Sequence, residues 1–185
     1  VCFIKKTKGD RFMNKKIMYI ITILSTAVLL FLDQIAKYLA VLHLKGQAAI
    51  PIIKNVFELQ YLENQGAAFG IMQGKKTFFV IGTLIFLVIV VILYHNIPLT
   101  KRFTPIRIVA VLIVAGAIGN MIDRVVHQYV IDFFYFKLIN FPIFNVADIY
   151  VVVACILFIL LMLFYYKEEE LGQIFPFMKS KKVEE

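Results

Sequence analysis

The chain reads as an all-α membrane protein: four transmembrane helices, with a small extracytoplasmic β-sheet between helices one and two. Three observations predict this. Of 185 residues 61% are hydrophobic, and mean hydropathy is +0.84, a membrane composition rather than a globular one. The charges leave four uncharged runs, Ile17–Leu32 (16 residues), Thr77–Thr100 (24), Ile108–Ile122 (15) and Ile149–Tyr166 (18). A bilayer core takes about 20 helical residues, so the first and third reach span length if Asp33 and Asp123 lie near helix ends. Finally, 13 of the 20 Lys and Arg precede run one, separate runs two and three, or follow run four. The positive-inside rule then places both termini in the cytoplasm.

Residues 1–15 are expected to be a disordered N-terminal extension, with Met13-Asn14-Lys15-Lys16 resembling an ordinary start. Helix one is expected over Lys16–Leu42. Its positive-to-apolar transition is like that of a signal peptide, but no small-x-small cleavage pattern precedes Asp33 and three more runs follow, so it is read as retained. The outside segment, about 43–76, holds Ile50-Pro51-Ile52-Ile53 and Val56–Leu62. In the second piece Phe57, Leu59 and Tyr61 alternate with Glu58 and Gln60, a strand pattern that ends at Asn64-Gln65-Gly66. These pieces predict a sheet on the membrane surface with Ile50, Ile52 and Phe57 facing lipid or a substrate tail; a hairpin that only covers the helix ends is the plainer reading. Helix two is expected over Lys76–His95. Pro98 and Pro105 mark a short inside loop. Helix three follows over Pro105–Val126, an outside loop over His127–Phe144, and helix four over Asn145–Lys167. Residues 16–167 thus form the membrane domain, and 168–185 are read as a charged, solvated cytoplasmic tail.

Several function classes fall away. Cys2 and Cys155 are the only cysteines, which gives neither a disulfide framework nor a zinc spacing, and no metal or cofactor is expected. The net charge of +8 is distributed as topology and contact with membrane lipids, not as a nucleic-acid footprint. No internal repeat supports an inverted-repeat transporter.

The topology carries Asp123, Asp132 and Asp148 to one membrane face, with Asp33 and Asn64 beside them. A charge at mid-bilayer costs roughly 3 kcal/mol on insertion scales, so acids kept in such a chain are functional candidates. Asp148 stands three residues after Asn145 and also fits a helix cap. That role does not account for Asp132, set in Val130-Ile131-Asp132-Phe133. Two carboxyls brought together across the intervening loop would share one proton, the arrangement of aspartic proteases. One would take a proton from water, and the other would donate to a scissile carbonyl oxygen. There is no Ser–Lys or Cys–His alternative, and His43, His95 and His127 are isolated. Asn120, Asp123 and Arg124 share a helix face, with Gly116 and Gly119 allowing close packing beside them; a structural polar clamp is the competing reading. Asp33 and Lys37, at i,i+4, are expected to form an ion pair that fixes helix one.

Five blocks resemble one family, lipoprotein signal peptidase (signal peptidase II). They are Asp33-Gln34-Ile35-Ala36-Lys37, Asn64-Gln65-Gly66-Ala67-Ala68-Phe69, Gly119-Asn120-Met121-Ile122-Asp123-Arg124, Val130-Ile131-Asp132-Phe133 and Phe144-Asn145-Val146-Ala147-Asp148. They stand in the family's order and cover Asp33 to Asp148. The resemblance implies a bacterial inner-membrane aspartic endopeptidase that cleaves prolipoproteins before a diacylglyceryl-modified cysteine, with Asp132 and Asp148 as the catalytic pair. It also implies that Asn64, Gly66, Asn120, Asp123, Arg124, Asn145 and Ala147 lie near the substrate or the inhibitor globomycin. A departure is Ile149, where Ser is common. A monomer is expected. The rival readings are a proton-coupled transporter using the acids as a relay, which would want them near mid-membrane, and a non-catalytic assembly factor.

Overall fold

The computed structural model describes residues 14–66 and 76–175. Of the extension expected to be disordered over residues 1–15, the first 13 lie outside them, while Asn14 and Lys15 are ordered as the cap and first residue of a helix. Four helices in it are long and apolar enough to cross a membrane. Helix α1 spans Lys15–Leu44 and is N-capped by Asn14, whose side chain accepts from the Lys16 N–H. Helix α2 spans Lys76–Asn96 and α3 Thr104–Val126, with Pro105 in its first turn, where a missing N–H costs nothing. Helix α4 runs over Val146–Leu160 and ends in a π-helical turn at Leu161–Tyr165. α3 is the central helix, in contact with α1, α2 and α4. Large apolar side chains stay exposed on α1, α2 and α4, Phe164 at 80% among them. Such a surface suits lipid, not water.

The expected sheet is present, with an addition. Strands β1 (Ile50–Ile53) and β2 (Phe57–Asn64) pair antiparallel, and a third strand, β3 (Val130–Tyr135), pairs antiparallel with β2. β3 lies in the stretch read as an outside loop. It pairs Leu62 with Asp132 and Asn64 with Val130, so the sheet itself carries one acid of the pair. Leu59, Tyr61, Ile131 and Phe133 of the sheet cluster with Ala36, Ala40 and Leu44 of α1. Ile50 and Ile52 are exposed as expected, but Phe57 is half-buried and packs against Phe134 and Phe136, with ring centroids 5.9 and 4.9 Å away.

Two expectations need correction. Residues 168–175 do not form a solvated tail. Helix α5 (Glu168–Ile174) folds back, burying Leu171, Ile174 and Phe175 against Tyr94, Ile97 and Phe103, while Glu170 pairs with Arg102 at 3.0 Å. Asp33 is not at a helix end but well inside α1; its charge is tolerated there because the bundle supplies partners for it.

Close helix packing positions the site. A Cβ on Gly116 would stand 2.5 Å from the Ala147 backbone oxygen and 2.7 Å from Val151 Cγ2, and one on Gly119 2.6 Å from Asp33 Oδ2. Gly116→Ala must therefore push α3 and α4 apart. Overpacking of this kind costs about 1–3 kcal/mol, so thermal unfolding in detergent is expected several degrees lower; an unchanged midpoint would contradict this packing.

Candidate active site

Every residue expected at the site lies at one end of the bundle, where α3 ends, α4 begins and the sheet sits. Asp132 comes from β3 and is 1% exposed; Asp148 comes from the first turn of α4. Asn145 links them. Its Nδ2 donates to Asp132 Oδ1 at 2.6 Å, its backbone N–H donates to Asp148 Oδ2 at 3.1 Å, and its Oδ1 accepts from the Asp148 N–H at 3.0 Å. The capping box anticipated at Asn145 and Asp148 is thus formed, and the cap residue also holds the second acid. Capping and pairing are one device here, not competing explanations.

Two more amides complete the shell. Asn64 Nδ2 donates to Asp132 Oδ2 at 2.8 Å, and Asn120 Nδ2 donates to Asp148 Oδ1 at 2.7 Å. Each of the three amides has its orientation set by a group that can only donate. The Gly66 N–H occupies Asn64 Oδ1 at 3.0 Å, Lys37 Nζ occupies Asn120 Oδ1 at 3.0 Å, and the Asp148 N–H occupies Asn145 Oδ1. The NH2 ends must then face the acids. All four carboxyl oxygens receive an N–H, and among the described residues no ion pair reaches either acid. Burial pushes the Asp132 carboxyl up to about 7, with the Asp148 charge adding to the rise and the Asn64 and Asn145 hydrogen bonds opposing it. Such a group changes protonation near neutral pH.

Beneath the pair lies a buried ionic cluster. Lys37 Nζ is 3.0 Å from Asp33 Oδ2 and 2.9 Å from Asp123 Oδ2. The ion pair expected between Asp33 and Lys37 is present, but Lys37 serves Asp123 and Asn120 as well. Asp33 Oδ1 accepts from the Ala147 N–H at 2.9 Å, and Asp123 Oδ2 from the Ile131 N–H at 3.1 Å. One cation thereby ties α1, α3, the start of α4 and β3 together. Arg124 donates to the Gly66 carbonyl at 3.1 Å, and its guanidinium lies over the Phe79 ring. Ala147 is fully buried against the Gly119 position. Gln34, between Asp33 and Lys37, was not expected at the site. Its Nε2 is 3.1 Å from both Asp33 Oδ2 and Asp123 Oδ1. Its signal was position alone, one turn before Lys37 on a helix already carrying a charge. Among the described residues no cluster of His, Cys, Asp and Glu has metal-binding geometry.

Fold and site together define a multi-pass membrane protein with a buried pair of hydrogen-bonded acids at one end of its bundle. The family model described as "Signal peptidase (SPase) II" matches residues 25–164, and the chain belongs to that family. Similar proteins include the lipoprotein signal peptidase of Caldanaerobacter subterraneus subsp. tengcongensis, 44% identical over 73% of this chain and 90% of the relative. That of Streptococcus pyogenes serotype M5 is 38% identical over 81% and 95%. A solved bacterial membrane enzyme is 32% identical, with a TM-score of 0.67 over 78% of this chain and 94% of its own.

Proposed function

We propose that the chain is an aspartic endopeptidase that removes signal peptides from bacterial prolipoproteins, cutting before the diacylglyceryl-modified cysteine. Asp132 and Asp148 are the catalytic pair, sharing one proton. The carboxylate takes a proton from a water; the protonated partner donates to the scissile carbonyl oxygen, and the tetrahedral centre collapses with proton transfer to the leaving amine. The observation that carries this reading is Asn145, which holds both acids at once. A plain helix cap needs only one of them.

Asn64, Gly66, Asn120, Asp123, Arg124, Asn145 and Ala147 shape the surrounding site, and globomycin-type inhibitors bind there. Asn64, Asn120 and Asn145 do so by aiming N–H groups at the acids, Asp123 through Lys37, Arg124 through Gly66, and Ala147 by seating Asp33. The protein is a monomer of the bacterial inner membrane, with both termini cytoplasmic and the site at the extracytoplasmic face; the basic-residue distribution supports that orientation. The diacylglycerol of the substrate stays in the bilayer and presents the bond at fixed depth, and such positioning supplies a large part of catalysis. A transporter would want acids at mid-depth with access from both sides, whereas these cluster at one end.

The test is purified protein with a lipidated prolipoprotein. Cleavage before the modified cysteine, blocked by globomycin, is expected. An intact substrate would sink the proposal. The pH profile gives a second measurement. The working pair holds one proton, and the Asp132 carboxyl is raised to about 7. Initial rates should therefore fall as pH rises through about 7, where that proton is lost and the general acid with it; rates that climb through pH 8 would contradict a shared proton.

A further inference from the structure

Resting on that reading, we infer that a groove on the β2–β3 face takes the extended polypeptide just after the modified cysteine. The groove has a volume of about 610 Å³ and is lined by Gln60, Leu62 and Asn64 of β2, with Tyr135, Asn140 and Pro142 opposite.

Continuity with the acids is the first argument. Asn64 lines the groove and donates to Asp132, and Leu62 pairs in register with Asp132. Register and alternation set Leu62 and Asn64 on the face that carries Asp132; Gln60 stands across a bulge between Leu59 and Leu62 and lines the same groove. Tyr61, Ile131 and Phe133 belong instead to the cluster packed on α1. The groove therefore starts at the acid pair and runs along β2 toward Gln60.

Its chemistry says which side of the cut bond it serves. The signal segment is apolar and lies in the bilayer, while the chain after the cysteine must pass into water. Gln60, Asn64 and Asn140 line the groove with amides, beside the Glu63 carboxylate, which is paired with Lys45 at 2.8 Å, and Gln60 and Leu62 are exposed. Asn140 Oδ1 accepts from the Tyr135 hydroxyl at 2.7 Å, which turns its NH2 end to other acceptors. Amides of this kind suit a peptide backbone of any sequence. Length agrees: from Asn64 to Gln60 a strand covers about 14 Å, the reach of about four extended residues. The groove thus reads the presence of a mature segment and little of its sequence.

The experiment uses the full-length enzyme and lipidated substrates that end at the modified cysteine or two, four or six residues beyond it. kcat/KM is expected to rise about tenfold up to about the fourth residue and then level, the scale of one or two net hydrogen bonds. Gln60→Trp should remove this gain while leaving the shortest substrate unchanged. Gln60→Arg should favour substrates with Asp near the fourth position, and Gln60→Glu those with Lys, each by a fewfold. Rates independent of length, or a Gln60→Trp enzyme slowed equally on all substrates, would overturn the groove assignment while leaving the peptidase reading in place. Failure of the wild-type enzyme on every substrate would instead overturn the peptidase reading.

Discussion

Asp132→Asn is expected to stop turnover while leaving the fold in place. The loss should be at least roughly 10³-fold, since a paired general acid and base each supply about 10²- to 10⁴-fold. Asp148→Asn should behave alike. Because the acids act as one unit, the double variant should be no slower than either single one. Stability separates this outcome from simple misfolding. Asp132 is buried, and its carboxyl is raised above the ordinary range to about 7. A raised folded-state value means that ionisation opposes folding; the unfavourable contribution grows from the ordinary carboxylate range up to about 7, and Asn removes it. Against that, the new NH2 would face either Asn64 Nδ2 or Asn145 Nδ2, both locked with their donors forward. Two facing donors cost about 1–3 kcal/mol. The two terms oppose each other, so the unfolding midpoint at neutral pH should stay within a few degrees of wild type. Substantial turnover in either folded variant would remove that acid from the chemistry.

Much of this site was legible because its signals are local. The four uncharged runs reached their helices, with boundaries within a few residues for α1 to α3. Asn145 and Asp148 announced a cap by spacing alone. The missing parts are non-local or masked by composition. β3 escaped because Val130–Phe133 are all buried, so the strand shows no alternation, and its partner β2 lies far upstream. Helix α5 opens with Glu168, Glu169 and Glu170, which looks like a solvated tail; the countersignal was Leu171, Ile174 and Phe175 at i, i+3 and i+4. The second carboxylate at Lys37 belongs to α3, and no spacing rule joins Lys37 to Asp123 across two helices and a sheet. Helix periodicity could show the ion pair within α1, but only packing could show that one lysine serves three partners.

That sharing makes Lys37 the residue whose loss should damage the fold most. It is 1% exposed, and its contacts to Asp33, Asp123 and Asn120, all within 3.0 Å, use its three protons. Lys37→Met fits the space but leaves two buried carboxylates without a cation. Stranding buried charge costs about 3–5 kcal/mol, a large share of a domain's net stability of about 5–15 kcal/mol. The variant is expected to accumulate poorly and to unfold many degrees below wild type. Lys37→Met with Asp123→Asn takes away one charge of each sign, so the cluster keeps its net charge, and much of the folded yield should return. Activity should not return with it. Without Lys37 the Asn120 oxygen keeps only the Asn145 Nδ2 donor, at 3.1 Å, so it is held less firmly away from Asp148, and the amide can more readily rotate to set oxygen against carboxylate. A drop in kcat of about 10- to 100-fold, with KM little changed and the alkaline limb of the pH profile displaced, is the expected signature. Full activity in the double variant would reduce Lys37 to a neutralising charge, with the Asn120 amide held by Asn145 and Asp148 alone.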